Sequence, residues 1–191
     1  MRRTKNIIIC GTGGQGILMA SEVLCSAAWR SGFDVKKSEV HGMAQRGGSV
    51  SSHVRFGEKV NSVLVEKGAA DVILALEKME SLRWVSYLAP HGKLITCDVK
   101  IEPMTVNTGS AVYPDVEKIM DEMNIPNLML PVREIAKELG NNRVVNIILL
   151  GAASKHLPEI SEENWFQAVE ERVPPKALEV NLEAFRRGRA L

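Results

Sequence analysis

The sequence predicts an α/β fold in three layers: helices on both faces of a mixed, mostly parallel sheet, a hairpin within the series, and a helical C-terminal third. Three observations carry that expectation. A β-branched run, Ile7-Ile8-Ile9-Cys10, enters a glycine-rich turn, Gly11-Thr12-Gly13-Gly14-Gln15-Gly16, and leaves it on a helical pattern. Strand-like and helix-like segments then alternate as far as Leu130. From Val132 onward only helical spacing remains.

Taken in order, Ile7 to Cys10 reads as a central strand because branched apolar side chains suit a sheet buried on both faces. Ile17, Ala20, Leu24, Ala27 and Ala28 recur at helical spacing up to Ser31, and Gly32 stops the helix. Phe33 to Ser38 is the second predicted strand, followed by a glycine-rich loop over Glu39 to Gly48. Val50, Ser52, Val54 and Phe56 alternate with polar neighbours, which is a strand of period two. Gly57-Glu58 reads as a hairpin turn into a further strand over Val60 to Val65. Asp71 to Leu76 is a buried strand, Glu77 to Leu88 a helix broken by Pro90-His91-Gly92, and Lys93 to Cys97 a strand. Pro114 opens a helix to Met123, and Asn127 to Leu130 is a short strand. Helices are expected over Arg133 to Leu139, Asn142 to His156, Ser161 to Arg172 and Pro175 to Arg187. No repeat, low-complexity run or linker divides the chain, so residues 1–191 are read as one domain.

Composition narrows the function classes. The chain has 45% apolar and 25% charged residues, an ordinary globular balance. A net charge of +1 and an aromatic content of 5% leave little for a nucleic-acid surface built on bulk charge or stacking platforms. Cys10, Cys25 and Cys97 form no C-x-x-C pair, and His41, His53, His91 and His156 are scattered, so no metal or iron–sulfur site is expected. The apolar runs at Ile7 to Cys10 and Val144 to Ala153 are too short for a signal-peptide core or a membrane span, which predicts a cytoplasmic protein.

Two segments carry the chemistry. In the first, Gly11-x-Gly13-x-x-Gly16 sits between a strand and a helix, where missing Cβ atoms and a helix N-terminus favour an anion. The same glycines also suit a turn whose only purpose is close packing of strand and helix. A nicotinamide or flavin dehydrogenase is a further reading of this motif. It wants an acidic residue at the end of the second strand and a second βα unit; Glu39 is late and a hairpin follows instead. The second segment is His41-Gly42-Met43-Ala44-Gln45-Arg46-Gly47-Gly48. Arg46 offers a fork of donors to an anion or carboxylate, flanked by glycines that let the backbone aim it, and His41 can donate a hydrogen bond or relay a proton. An arginine paired with an acid at a subunit contact fits these residues equally. No Walker lysine, Gly-x-Ser-x-Gly elbow or nucleophile–base set is present, so no catalytic residue is assigned.

The two segments together, about 25 residues apart, resemble the gamma-type domain of 2-oxoacid:ferredoxin oxidoreductases. Gly68-Ala69-Ala70-Asp71, Asn146 with Gly151, and the closing stretch from Asn181 through Phe185 to Gly188 extend the likeness along the chain. Within that family the His41–Gly48 form is most similar to the indolepyruvate branch. The resemblance implies a subunit that shapes a ligand site without performing chemistry itself, inactive when isolated. It implies oxidative decarboxylation of an aryl 2-oxoacid to its acyl-CoA, with thiamine diphosphate and iron–sulfur clusters on a large partner subunit and ferredoxin as acceptor. Coenzyme A is the implied co-substrate, and a homodimer of the isolated chain stays open. Carried over by position, the candidate cofactor-binding residues are Gly11, Gly13, Gly14, Gln15 and Gly16 with His41, Gln45, Arg46, Gly47 and Gly48. A coenzyme A- or nucleotide-binding module without an enzyme role is the remaining alternative.

Overall fold

The computed structural model describes residues 3–41 and 48–191. Its strands are β1 (Lys5–Thr12), β2 (Asp34–His41), β3 (Ser49–Gly57), β4 (Ala70–Ala75), β5 (Leu88–Cys97) and β6 (Asn127–Leu130). Among the described residues they form one six-stranded sheet in the order β2-β3-β1-β4-β5-β6. From β1 through β4 and β5 to β6 the strands run parallel, whereas β3 lies antiparallel to both β1 and β2. The sheet is thus mixed and mostly parallel, as the sequence predicts.

The helices are α1 (Ile17–Arg30), α2 (Lys78–Trp84), α3 (Met104–Asn107), α4 (Val116–Glu122), α5 (Val132–Glu138), α6 (Val145–Ser154), α7 (Glu162–Arg172) and α8 (Leu178–Arg189). Alternation along the central strands divides the core in two. Ile7, Ile9, Val72 and Leu74 point into a large cluster with α1, α5, α6, α7 and α8. Ile8, Cys10, Ile73 and Ala75 point the other way, towards Val116 and Met120 of α4, Leu82 of α2 and Val65. Helix α6 is buried from Asn146 to Ser154, which its continuous apolar sequence requires. It crosses α8 so closely that a Cβ on Gly151 would run into the carbonyl oxygen of Phe185, and one on Gly188 into that of Ile148.

The hairpin is not where the sequence places it. It joins β2 to β3, in register from Asp34 opposite Gly57 to His41 opposite Val50, and so spans the second glycine segment. Val60 to Val65 is not a strand. Both edges of β3 are occupied by β1 and β2, so no ladder is left for it to join. Its backbone is instead held by side chains of those strands. Asp34 accepts the Val60 N–H (2.8 Å), Nδ1 of His53 accepts the Val65 N–H (3.1 Å), and Arg55 donates to the carbonyls of Ser62 (3.0 Å) and Leu64 (3.2 Å).

Smaller departures have local causes. β2 continues to His41, because pairing with β3 extends it through Glu39, which the sequence assigns to a loop. α2 ends at Trp84, and Pro90-His91-Gly92 lies within β5, where the register against β4 shifts between Ala70 and Val72. Pro114 precedes α4 rather than opening it, since Asp115 takes the cap by accepting the Lys118 N–H.

Candidate functional site

β1, β4 and β5 are parallel, so their C-terminal ends lie on one side, where open α/β sheets hold ligands. The glycine turn emerges there. Gly14 and Gly16 take left-handed φ values of 101° and 79°, which glycine adopts without strain. A Cβ on Gly14 would meet nothing within 4 Å, so the turn is open on that side. On its inner side it is braced. Oε1 of Gln15 accepts the Thr12 N–H (2.6 Å), and the Gln15 amide nitrogen donates to the Leu76 carbonyl at the end of β4. The amide of Gln15 therefore ties β1 to β4 beneath the turn. Asn146 closes the other flank by donating from Nδ2 to the Gly16 carbonyl (3.0 Å), and it occupies the space a Cβ on Gly16 would need.

The sheet also brings the second segment here. Thr12 pairs with Ser49, and the Gly13 N–H donates to the Gly48 carbonyl (2.9 Å). The two motifs that stand about 25 residues apart in sequence are thus joined through Gly13 and Gly48. His41 ends β2 opposite Val50. Its side chain, and residues 42–47 with Gln45, Arg46 and Gly47, lie outside the described residues.

Beside the turn opens a cleft of about 1480 Å³ that includes Gly14, Gln15, Gly16 and Met19 in its wall. Two helices begin at it. α1 has no side-chain cap and no acidic residue in its first turn, so it presents the partly positive end of a helix to the cleft. α6 continues a short 3-10 turn over Asn142–Val144, where Asn141 accepts the Arg143 N–H (2.9 Å), and Asn146 accepts the Ile147 N–H (2.9 Å). Arg133, Lys137, Arg143 and Lys176 add four cations against the carboxylates of Asp98 and Glu134. None of the four forms an ion pair among the described residues, whereas Arg187 pairs with Glu138 (2.5 Å) and Arg189 with Glu162 (3.1 Å) a short way along α8. Cations without ion-pair partners and the uncapped end of α1 facing one cleft favour an anionic ligand.

Just past the end of β4 sit two carboxylates that sequence reasoning passed over. Glu77 is 1% and Glu80 is 3% exposed. Glu77 caps α2 by accepting the Glu80 N–H (3.1 Å), and its other oxygen accepts the Ile101 N–H (3.1 Å) and the Tyr113 hydroxyl. Glu80 accepts the Ser49 hydroxyl (2.5 Å) and pairs with Arg83 (3.0 Å). Glu80 therefore fixes the residue directly after Gly48. Their place immediately after the apolar strand Asp71–Leu76 was the available signal, because the ends of parallel strands carry site residues.

The remaining polar candidates are structural. Burial pushes the Cys97 thiol up to about 12 and that of Cys25 to about 11, and holds that of Cys10 well above its usual value, so none is a ready nucleophile. No group of three His, Cys, Asp or Glu suited to a metal occurs among the described residues, and no helix there is long and apolar enough to cross a membrane. Glu39, the acid a dinucleotide fold would use, faces Ser52 of β3, which in turn faces Ile9 of β1. The interposed β3 moves it two strand spacings, about 10 Å, from β1, and it pairs with Lys37 (2.6 Å).

The fold and site define a class: an α/β domain with a mixed sheet that presents a glycine turn and a basic cleft at the ends of its parallel strands. Comparison with known proteins carries this to a family. The profile described as pyruvate ferredoxin/flavodoxin oxidoreductase matches residues 6–191, and the chain belongs to that family. It is 43% identical over 189 residues to the indolepyruvate oxidoreductase subunit IorB of Thermococcus kodakarensis, covering 96% of this chain and 93% of that one. Among solved structures it is similar to the gamma subunit of the keto/oxoacid ferredoxin oxidoreductase of Geobacter sulfurreducens (TM-score 0.72, 25% identity, 96% of this chain and 95% of that chain). The same fold recurs in the 2-oxoglutarate:ferredoxin oxidoreductase of Magnetococcus marinus, solved with 2-oxoglutarate, coenzyme A and succinyl-CoA (TM-score 0.72, 22% identity), where it spans 31% of a longer chain.

Proposed function

We propose that this chain is the small subunit of an indolepyruvate:ferredoxin oxidoreductase and that its cleft and paired segments receive coenzyme A. The observation that carries the reading is the convergence of the open glycine turn, the uncapped end of α1 and four cations without an ion-pair partner among the described residues on one cleft. A cleft of about 1480 Å³ exceeds the usual range for compact ligands, roughly 300–1000 Å³, and suits an elongated anion. The phosphates of coenzyme A supply the charge the cations call for, and its thiol arm has the reach to leave the cleft towards a partner.

The described residues do not fit an iron–sulfur cluster: Cys10 and Cys97 are buried, and no group of three His, Cys, Asp or Glu suited to a metal occurs among them. Decarboxylation and electron transfer are therefore assigned to a larger partner subunit carrying thiamine diphosphate and the clusters, with ferredoxin as acceptor. Occurrence of the same fold inside a longer chain supports such an assembly, because a domain covalently joined in one protein can dock as a free subunit in another. This chain's own residues hold and orient the acyl acceptor. The cleft cations bind its phosphates, the glycines admit it to the backbone, and Arg46 contacts an anionic group of the ligand or of the 2-oxoacid.

The test is reconstitution with the large subunit, followed by indolepyruvate-dependent ferredoxin reduction with and without this chain. Activity only with both, and a preference for indolepyruvate over pyruvate and 2-oxoglutarate, is the expected result. A large subunit equally active alone, with an unchanged KM for coenzyme A, would overturn it.

A further inference from the structure

We propose that the outer edge of β2 pairs with the same edge of a second copy of this chain, joining two sheets into one across a two-fold axis at Ser38. Among the described residues β2 bonds only to β3, so its other edge presents a row of backbone donors and acceptors over Asp34–His41. Val40 stands on this strand 51% exposed.

Geometry and charge select the register. Two strands of one continuous sheet related by a two-fold axis keep their faces. Facing residues must then share a face, and their numbers must sum to an even value. An axis at Lys37 would set Lys37 against Lys37, and one at Glu39 would set Glu39 against Glu39. An axis at Lys36 opposes two lysines in the same way, and one at Val35 sets Asp34 against Lys36 but overlaps only residues 34–36 of the strand. At Ser38 the repulsion vanishes: Lys37 faces Glu39 of the copy, Glu39 faces Lys37 of the copy, and Ser38 meets Ser38. Lys37 and Glu39 already pair within the strand (2.6 Å), with Glu22 of α1 near Lys37 (3.9 Å), so the two copies would form a ring of alternating charge on the α1 side. On the opposite face Val40 comes to lie against Lys36 of the copy, a contact neutral in sign and open to manipulation.

The sharpest experiment is sedimentation equilibrium of the full chain with charge introduced at Val40. Val40→Lys sets two lysine pairs across the axis and is expected to weaken the dimer roughly tenfold, whereas Val40→Glu faces Lys36 of the copy and tightens it. Within one chain both substitutions fall on an exposed position, so thermal midpoints stay close to wild type. In a second series, Lys37→Glu and Glu39→Lys each weaken the dimer, and the double exchange K37E/E39K restores it even if the single variants lose some stability. A wild-type chain that remains monomeric through high micromolar concentrations overturns the proposal. So does a dimer that responds alike to Val40→Lys and Val40→Glu, since it would then rest on another surface.

Discussion

At the crossing of α6 and α8, Gly151 and Gly188 let two helix backbones touch; at the turn after β1, Gly14 faces open space. The same residue type serves closure in one region and access in the other. At the crossing a side chain has nowhere to go, because the obstacles are the backbone atoms of Phe185 and Ile148. At the turn the obstacle is absent, and the demand is on backbone angle instead. Glycine content therefore says little about function until the surroundings of each glycine are known. At the turn the glycine stands beside open space and the uncapped end of α1, and at the crossing it stands against backbone and closes a core.

That contrast can be broken most forcefully at the crossing. Gly188→Ala should destabilise the fold by about 3 kcal/mol, the upper part of the overpacking range, and lower the midpoint of denaturant unfolding accordingly. At a temperature where it stays folded it should keep the coenzyme A KM of wild type. A stable Gly188→Ala protein would show that the helices part easily and that closure is not glycine's role there. At the cleft the pattern should reverse. Arg143→Ala, or Arg133→Ala, should raise the KM for coenzyme A in the assembled enzyme by about tenfold, the lower end of a lost charge-assisted bond, with no change in unfolding midpoint. An unchanged KM with weakened subunit association would turn the cleft into an interface.

Asn146 sits between the two regions, on buried α6 but bonded to Gly16. Asn146→Ala removes two hydrogen bonds, to the Gly16 carbonyl and from the Ile147 N–H, and some packing, so a loss of about 2 kcal/mol is expected together with a modest rise in KM. A stability change with KM untouched would separate α6 from the turn.

The fold was largely legible because its central strands carry the signal in their own residues. Ile7 to Cys10 and Val72 to Leu76 are apolar on both faces and could only be interior strands. The hairpin was misplaced because pairing is a property of partners. Val60 to Val65 resembles a strand locally, but only its two ends are buried side chains, and both edges of β3 were already taken. The glycine turn was legible as a strand-to-helix turn. The cleft beside it was not: Arg133, Lys137, Arg143 and Lys176 come from segments more than 100 residues later that meet Gly14 only in the folded chain. Gln15 is among the cofactor-binding candidates, and its amide also spans Thr12 and Leu76, a role no local pattern displays.

The smallest effect concerns His53, which holds the Val65 amide and packs edge-on against Trp84 and Tyr87. Burial lowers its pKa from 6.5. The folded protein then binds this proton less readily than the unfolded chain. The stability the group provides is present above about pH 6.5 and is lost as pH falls through that value towards the folded pKa. His156, also lowered by burial and by Lys93 and Lys155, adds slope of the same sign. Thermal midpoints measured from pH 7.5 down to 5.5 should therefore fall less steeply in His53→Asn than in wild type, and equal slopes would count against it.

The bond from Gly13 to Gly48 has one more consequence. It joins the two segments directly, and any coupling between binding events that runs through it is reciprocal. If a partner subunit bound at this end of the sheet raises affinity for a ligand at the turn, that ligand must raise affinity for the partner by the same factor. Assembly and co-substrate binding would then be two readings of a single equilibrium, and the small subunit would report the presence of its ligand by how tightly it stays attached.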